Sequence, residues 1–232
     1  MSAERTLLVE ALAGVIAALK PGSPTLVAVE GRSAAGKSAF ADDLAAAVAR
    51  GGRPTLRASL DDFHPPGHAK RSSARGYTPE SFYAEGYDYA RFRAQLVDPL
   101  RDGDRRCRRA AWDSARDVPA DAEWQEAAED AIAVVDGAFL FHTSLWGAWD
   151  YSIWLEIDFE TMVARAAKRD VAWIGSEAET LRRYREFWIP THRRYEALIG
   201  PKARCDVVID PTDFAAPRLV RGPATPNGDA QK

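Results

Sequence analysis

One eight-residue segment, residues 31–38, restricts the fold of this chain more than any other feature. It follows the pattern G-x-x-x-x-G-K-[ST], with a short apolar run before it and the amphipathic stretch Lys37–Arg50 after it. The glycines permit a tight loop whose N–H groups point inward, where they and the positive end of the next helix attract phosphate oxygens. Lys37 would reach the outer phosphates, and the Ser38 hydroxyl is a hard ligand suited to Mg²⁺. The segment therefore predicts a site for a nucleoside triphosphate. The residues predicted to bind it are Gly31, Arg32, Ser33, Ala34, Ala35, Gly36, Lys37, Ser38 and Ala39.

The rest of the chain alternates between short strand-like runs and helical stretches. The strand-like runs are rich in β-branched residues and too short for helices. They are residues 25–29, 55–59, 132–135, 153–157 and 207–209. The main helical stretches are residues 37–50, 89–100 and 159–169. Such alternation predicts a parallel sheet covered by helices on both faces, with the functional residues beyond the carboxyl ends of the strands.

Composition narrows the class of protein further. The chain has 232 residues, of which 46% are hydrophobic, and a formal net charge of −3. No basic excess favours nucleic acid or an anionic membrane as a partner. Two cysteines are too few for a disulfide scaffold and fit a reducing compartment. The apolar run at residues 7–19 contains Glu10, is too short to span a bilayer, and is unlike a signal peptide. We therefore expect a cytoplasmic protein, with one domain over residues 1–214 and a flexible Pro- and Gly-rich tail over residues 215–232.

Carboxylates follow two of the predicted strands. Asp61 and Asp62 come directly after the second strand, and Asp136 follows the apolar run at residues 132–135. A carboxylate at the first position could accept a proton from an attacking hydroxyl, and one at the second could hold the Mg²⁺ shell. Turns that favour Asp are the alternative explanation for both. His64 and His68 have the spacing of zinc ligands on a helix, but the Pro-Pro-Gly sequence between them forbids that helix.

Three classes of phosphate-loop protein compete at this point: small-molecule kinases, GTPase switches, and motor or transporter ATPases. No lysine lies in an [NT]-K-x-D guanine-reading motif, and no L-S-G-G-Q transporter signature is present. An acid directly after the second strand and arginines late in the chain favour a kinase that shields phosphoryl transfer from water.

The order of motifs resembles uridine kinases and the wider uridine kinase, phosphoribulokinase and pantothenate kinase group. The resemblance extends from about Leu26 to Asp213 and is most specific in residues 59–64, Tyr87-Asp88-Tyr89 and Asp98-Pro99-Leu100. It implies an α/β fold, a three-layer α/β/α sandwich of the P-loop NTPase type, with a mostly parallel five-stranded sheet in the order 2-3-1-4-5. It also implies an acceptor-side insertion over residues 65–121 and a lid over residues 165–190.

The resemblance also implies roles for individual residues. Asp61 would be the general base and, with Ser38 and Asp136, part of the Mg²⁺ site. Lys37 and Arg169 would be catalytic, and Arg165 would also contact the nucleotide. The residues that would contact the acceptor are Asp61, Phe63, His64, Tyr87, Asp88, Trp112 and Arg116.

This chain departs from the uridine kinase pattern at two places, the acceptor site and the lid. Uridine kinases carry a Tyr-Asp pair followed by a His that reads the pyrimidine, whereas this chain has Trp112-Asp113 and then Arg116 or Asp117. The extra lid arginines after Arg-Asp are also missing, and Arg182 and Arg183 are the nearest replacements. A separate arginine cluster at residues 101–109 is either a solvated face or a site for an anionic group.

The sequence therefore predicts an ATP- and Mg²⁺-dependent kinase that phosphorylates a hydroxyl of a small molecule, with a uridine or cytidine 5′-OH as the leading acceptor. A pantothenate-like or sugar-like acceptor is the first alternative. A nucleotide-dependent switch or binding protein without kinase turnover is the second. We expect a small-molecule partner, no nucleic acid or membrane partner, and leave open whether the chain forms a homo-oligomer.

Overall fold

A computed structural model describes residues 2–222, and a central sheet of six strands organises them. The strands are β1 (Thr25–Gly31), β2 (Thr55–Ser59), β3 (Ile132–Gly137), β4 (Tyr151–Leu155), β5 (Val207–Asp210) and β6 (Arg218–Arg221). Their order is 2-3-1-4-5-6, and all neighbours pair in parallel except β5 and β6. The predicted order of the five parallel strands is confirmed, and an antiparallel edge strand extends the sheet.

Helices cover both faces of this sheet. They are α1 (Ala3–Ala17), α2 (Lys37–Arg50), α3 (His68–Ser73), α4 (Pro79–Glu85), α5 (Tyr89–Phe92), α6 (Asp98–Asp102), α7 (Phe159–Arg169), α8 (Val171–Ile174), α9 (Glu177–Arg183), α10 (Ile189–Ile199) and α11 (Pro201–Arg204). Two π-helical segments, Arg93–Val97 and Tyr184–Trp188, join α5 to α6 and α9 to α10. Short 3₁₀ turns occupy Leu60–Phe63 and Thr143–Leu145. No helix within residues 2–222 is long and apolar enough to cross a bilayer.

Alternation along the buried strands creates two separate cores. In β3, Ile132 and Val134 belong to the core that α1 and α2 cover, whereas Ala133 and Val135 belong to the core beneath the insertion. Successive side chains of a strand point to opposite faces, so a fully apolar strand requires cover on both sides. This packing produces the predicted three-layer α/β/α sandwich.

The predicted insertion, residues 65–121, contains α3 to α6, one small antiparallel ladder and one strand of a second. Arg106–Cys107 pairs with Gln125–Glu126, and Trp112–Asp113 pairs with Val118–Pro119. The second ladder is a hairpin whose tip is fixed by Asp117, which accepts hydrogen bonds from the Gly67 amide at 2.8 Å and the Trp112 indole at 3.1 Å. The hairpin is thereby tied to the turn that begins α3.

The predicted tail, residues 215–232, is wrong for its first part. Arg218–Arg221 forms β6, in which Arg218 pairs with Asp210 and Leu219 with Ile209. An ion pair of 2.5 Å between Arg218 and Asp210 reinforces this edge. The surrounding Pro and Gly residues obscured a strand whose four side chains are all exposed and therefore carry no apolar alternation. Residues 223–232 lie outside the described part of the chain.

Candidate functional site

The phosphate loop lies where β1 passes into α2. Gly31 is required by packing, because a Cβ added there would lie 2.5 Å from the Leu155 carbonyl oxygen. Gly36 is left-handed, with φ of 89°, and α2 starts directly after it. The Lys37 ammonium closes the loop by donating to the Arg32 carbonyl at 3.0 Å. The backbone therefore has the predicted strand–loop–helix form, with its cation inside the loop.

A histidine beneath the loop holds its first turn. The buried His192 ring of α10 accepts a hydrogen bond at Nε2 from the Ser33 amide, 3.2 Å away, and the Ser33 hydroxyl lies 3.0 Å from the same nitrogen. Burial and the charges of Lys37 and Arg32 lower the pKa of His192 to about 3, so the ring is a neutral acceptor at neutral pH. Sequence reasoning missed His192, since it is about 160 residues from the loop and belongs to no motif.

The Asp136 carboxylate at the end of β3 joins two elements. One oxygen accepts a hydrogen bond of 2.6 Å from the Ser38 hydroxyl, and the other forms an ion pair of 2.7 Å with Arg57 of β2. Register explains the meeting, because β3 lies between β1 and β2 with Asp136 opposite both Val29 and Ser59. The sequence analysis identified Asp136 and Ser38 as site residues but not Arg57. Arg57 is a partly buried residue in the middle of β2 and belongs to no motif.

The Arg57–Asp136 pair leads to a stability prediction. The Asp136 side chain is only 2% exposed, so removing its cationic partner leaves a buried carboxylate poorly compensated. We expect Arg57→Met to lower the free energy of unfolding by about 2–4 kcal/mol in denaturant titrations followed by tryptophan fluorescence. The matched control is Arg50→Met, whose ion pair with Glu10 is half exposed on both sides; it should change stability by less than about 0.5 kcal/mol. Equal effects of the two variants would show that the Arg57–Asp136 pair stabilises the fold no more than an exposed ion pair does.

Asp61 lies on the 3₁₀ turn after β2 and accepts a hydrogen bond of 3.0 Å from the Tyr87 hydroxyl. Beside it, the His64 ring stacks between Tyr87 and His68, with ring centroids 4.5 Å and 3.6 Å away. His64 is fixed by its Nδ1, which donates to the Gly86 carbonyl at 2.5 Å. The strand-end carboxylate is therefore oriented by one hydroxyl and flanked by a wall of three parallel rings.

In the predicted lid, residues 165–190, a buried acid positions Arg169. Asp170, 2% exposed, accepts hydrogen bonds from Arg169 Nε at 2.6 Å and from the Tyr184 hydroxyl at 2.7 Å. Arg165 is placed differently, because its guanidinium donates to the carbonyls of Pro211 and Thr212 at 2.8 and 2.9 Å. Of the two predicted lid arginines, Arg169 lines the cleft, whereas Arg165 joins the segment after β5 to the phosphate loop through a hydrogen bond of 3.4 Å to the Ala34 carbonyl.

One cleft of about 680 Å³ connects these groups. It lies beyond the carboxyl ends of the strands, between the phosphate loop, the insertion and the lid. The sequence-predicted residues that line it are Ser33, Ala34, Gly36, Lys37, Ser38, Ala39, Asp61, His64, Tyr87, Asp136 and Arg169. The structure thus brings the predicted phosphate site and the predicted base into one cavity.

The remaining predicted residues do not line the cleft. Phe63 is fully buried and packs edge-on against Phe92, with ring centroids 5.0 Å apart. Asp88 caps α5 by accepting from the Arg91 amide at 3.0 Å. The other residues outside the lining are Gly31, Arg32, Ala35, Trp112, Arg116 and Arg165. The hairpin places Ser114 and Ala115, rather than Trp112 or Arg116, against the cavity.

The sequence did not identify several other residues that line the cleft. His68 and the lid aromatic residues Trp173, Tyr184 and Trp188 all face it. The sequence signals for them are weak: all seven tryptophans of the chain lie from Trp112 onward, and His68 comes four residues after His64. Helical periodicity within the insertion is too short to show which side of α3 faces inward.

The arginine cluster at residues 101–109 is engaged away from the cleft. Arg101 pairs with Asp150 at 2.8 Å, and Arg105 pairs with Glu126 at 2.9 Å. Arg108 donates to backbone carbonyls, at 2.7 Å in the case of Ala120. These contacts favour a structural role over recognition of an anionic group.

Burial shifts several ionisation equilibria around the site. It lowers the pKa of Lys37, against the opposing charges of Asp61 and Asp136. It raises the pKa of Asp62 to about 6, helped by the charge of Asp61. It also raises the pKa of Glu30, at the end of β1, to about 8, although the Tyr195 hydroxyl favours the ionised form. The loop lysine is thus a desolvated cation that two carboxylates help to keep charged.

The residues present fit Mg²⁺ bound together with a nucleotide. A hydroxyl and a carboxylate, Ser38 and Asp136, already lie 2.6 Å apart at the start of α2. Within residues 2–222, no group of three or more His, Cys, Asp or Glu side chains could hold a metal ion. Mg²⁺ usually takes one or two protein ligands and completes its shell with phosphate oxygens and water, so this small donor set is suitable.

Comparison with solved structures identifies proteins of the same fold. A protein from Bacillus stearothermophilus described as a possible uridine kinase matches with a TM-score of 0.66 and 17% identity, over 86% of this chain and 96% of its own. A candidate fructose transport system kinase from Silicibacter sp. TM1040 matches with a TM-score of 0.64 and 26% identity, over 83% and 94%. D-glycerate 3-kinase from Cryptococcus neoformans matches with a TM-score of 0.51 and 11% identity, over 84% and 86%.

Scans against models of known families and against curated proteins gave no match. The similarity is therefore carried by the tertiary structure. It extends over 96% of the Bacillus stearothermophilus protein and 94% of the Silicibacter protein. The fold that this chain shares with them is that of the uridine kinase-like P-loop kinases, as the resemblance of its motifs implied.

Proposed function

We propose that this chain is an ATP-dependent kinase that transfers the γ-phosphoryl group to a hydroxyl of a small molecule. One observation carries the proposal: Lys37, Ser38 and Asp136 open onto the same cleft as Asp61, a carboxylate at the end of a neighbouring strand. A phosphate site needs only the first three groups. A carboxylate opposite them, oriented by the Tyr87 hydroxyl at 3.0 Å, is what transfer to a hydroxyl acceptor requires.

The acceptor oxygen forms a bond to the γ-phosphorus, the bond from that phosphorus to the bridging oxygen breaks, and ADP leaves. The hydroxyl proton moves to Asp61, while Lys37 and Arg169 stabilise the negative charge on the phosphoryl oxygens. Mg²⁺, bound through Ser38 and Asp136, would neutralise charge on the phosphates. Trp173 and Trp188 of the lid line the cleft and would exclude water from it.

The leading acceptor remains the 5′-OH of a nucleoside such as uridine or cytidine. Its support is the order of motifs in the sequence and a solved neighbour described as a possible uridine kinase. A sugar-like or acidic acceptor is the alternative, because the other neighbours are named for fructose transport and for D-glycerate. Which of these classes of acceptor binds depends on the side chains of the cleft that contact it.

Acceptor-dependent formation of ADP tests the proposal. The purified protein is given Mg-ATP with uridine, cytidine, fructose, D-glycerate or pantothenate, and ADP is measured by a coupled assay. We expect at least one compound to raise ADP formation well above the rate without acceptor. ADP formation at one constant rate, whatever is added, would instead indicate a hydrolysing switch. Parallel calorimetry with ATP shows whether the nucleotide binds in that case.

A further inference from the structure

The wall of the cleft that the insertion provides contains no charged side chain. Its lining residues are small, hydroxylic or aromatic: His68, Ser72, Ser73, Phe82, Tyr87 and Ser114, with two alanines between them. The Asp61 carboxylate lies at the junction of this wall with the phosphate loop. An acceptor bound here would therefore meet hydrogen-bonding and ring surfaces.

Three arginines of the insertion and lid near this wall are already engaged by other groups. Arg71 forms an ion pair of 2.7 Å with Glu85, and Arg75 forms one of 2.6 Å with Glu179. Arg183 donates to the carbonyl and hydroxyl oxygens of Ser72 at 2.8 and 2.7 Å and lines a separate neighbouring pocket. A carboxylate buried against this wall, away from Lys37 and Arg169 at the phosphate end of the cleft, would lose its hydration without gaining a cation from the wall, which is unfavourable.

His68 is the polar side chain best placed to contact a neutral acceptor. It closes the stack of three rings, with its centroid 3.6 Å from that of His64. Its Nδ1 lies 3.3 Å from the Tyr77 hydroxyl, and when that hydroxyl donates, the ring proton is on Nε2. Within residues 2–222, Nε2 has no hydrogen-bond partner, and in that tautomer it is left as a donor. Burial beside His64 keeps the ring neutral by lowering its pKa to about 3.

The position of His68 is fixed from both sides. Asp117 on the hairpin accepts from the Gly67 amide at 2.8 Å, directly before the first residue of α3. On its other side, His68 contacts Phe82 edge-on at a centroid distance of 6.0 Å. A side chain held in this way can discriminate between ligands, because its donor does not have to be ordered on binding.

We propose that the acceptor is an uncharged polyhydroxy compound, and that His68 is a specificity-determining residue which donates a hydrogen bond to it. The inference rests on the proposed function, since it names the class of acceptor for the same cleft. Neutral sugars and nucleosides share this chemistry, whereas sugar acids and nucleoside acids do not.

Binding of matched pairs tests this class without requiring turnover. Calorimetry is carried out on the full chain with Mg²⁺ and a non-hydrolysable ATP analogue, comparing fructose with gluconate and uridine with orotidine. We expect the neutral member of at least one pair to bind tenfold or more tightly than its acid. Equal or tighter binding of both acids, or no binding of either neutral compound, would overturn the inference.

The second arm uses His68→Phe, which keeps an aromatic ring in the stack but removes the donor. We expect the acceptor Kd to rise about tenfold, as for the loss of one hydrogen bond, while the Kd of the nucleotide analogue stays unchanged. The control is His142→Phe, the same change in a ring that stacks on Tyr89 outside the cleft lining. Unchanged acceptor binding in His68→Phe would remove it as a specificity residue.

ADP formation with the same compounds separates the two proposals. His68-dependent binding of a neutral compound without any ADP would refute the kinase while supporting the neutral acceptor pocket. Efficient phosphorylation of an acid in preference to its neutral partner would support the kinase and refute the neutral pocket.

Discussion

Asp61→Asn is expected to lower kcat by on the order of 10²-fold or more. The amide has the same shape and can still accept the hydrogen bond that Tyr87 donates at 3.0 Å, but it cannot take up the proton of the acceptor hydroxyl. Nucleotide binding should be spared, because the phosphate loop is formed by other residues. The measurement is acceptor-dependent ADP formation at saturating ATP, together with the Kd of ATP by calorimetry.

The neighbouring carboxylate provides a matched control for that variant. Asp62 follows Asp61 directly but does not line the cleft, and its backbone carbonyl accepts from the Ala111 amide at 2.9 Å. We therefore expect Asp62→Asn to retain turnover within about threefold, a change of less than 1 kcal/mol in the barrier. If Asp62→Asn lost activity and Asp61→Asn kept it, the assignment of the base would be wrong.

Lys37→Ala is expected to reduce kcat/KM for ATP by on the order of 10²–10³-fold. Its ammonium is partly buried in the phosphate loop, donates to the Arg32 carbonyl at 3.0 Å and lines the cleft. Stability should not fall, since the variant removes a desolvated charge whose pKa burial already lowers. Kinetics and denaturant unfolding of the same preparation measure the two effects.

Lys168→Ala controls for the loss of a lysine. Lys168 is exposed on α7, within the lid helix that carries Arg169, and it does not line the cleft. This variant should keep kcat/KM within about twofold, because exposed charges contribute little. A comparable loss in both variants would mean that overall charge, rather than the loop cation, controls the reaction.

The strongest local patterns gave most of the fold in advance. The glycine-rich segment with a strand before it and a helix after it predicted the phosphate loop, and the apolar strands predicted a sheet covered on both faces. The order of the strands came from the resemblance of motifs in the sequence. The edge strand at Arg218–Arg221 was missed, because all four of its side chains are exposed and its pairing depends on Asp210 and Ile209 of β5.

The residues of the candidate site also fall into two groups, those predicted from the sequence and those seen only in the structure. Asp136 and Asp61 were predicted because each follows a strand directly, and strands that end at one edge bring such residues together. The sequence alone was therefore enough to predict that these two acids lie beside the phosphate loop. Only the tertiary structure decided that Arg57 pairs with Asp136, that His192 supports Ser33, and that His68 faces the cleft. These contacts depend on the packing of distant segments, which no local periodicity encodes, since periodicity shows which face of an element is buried but not which segment covers it.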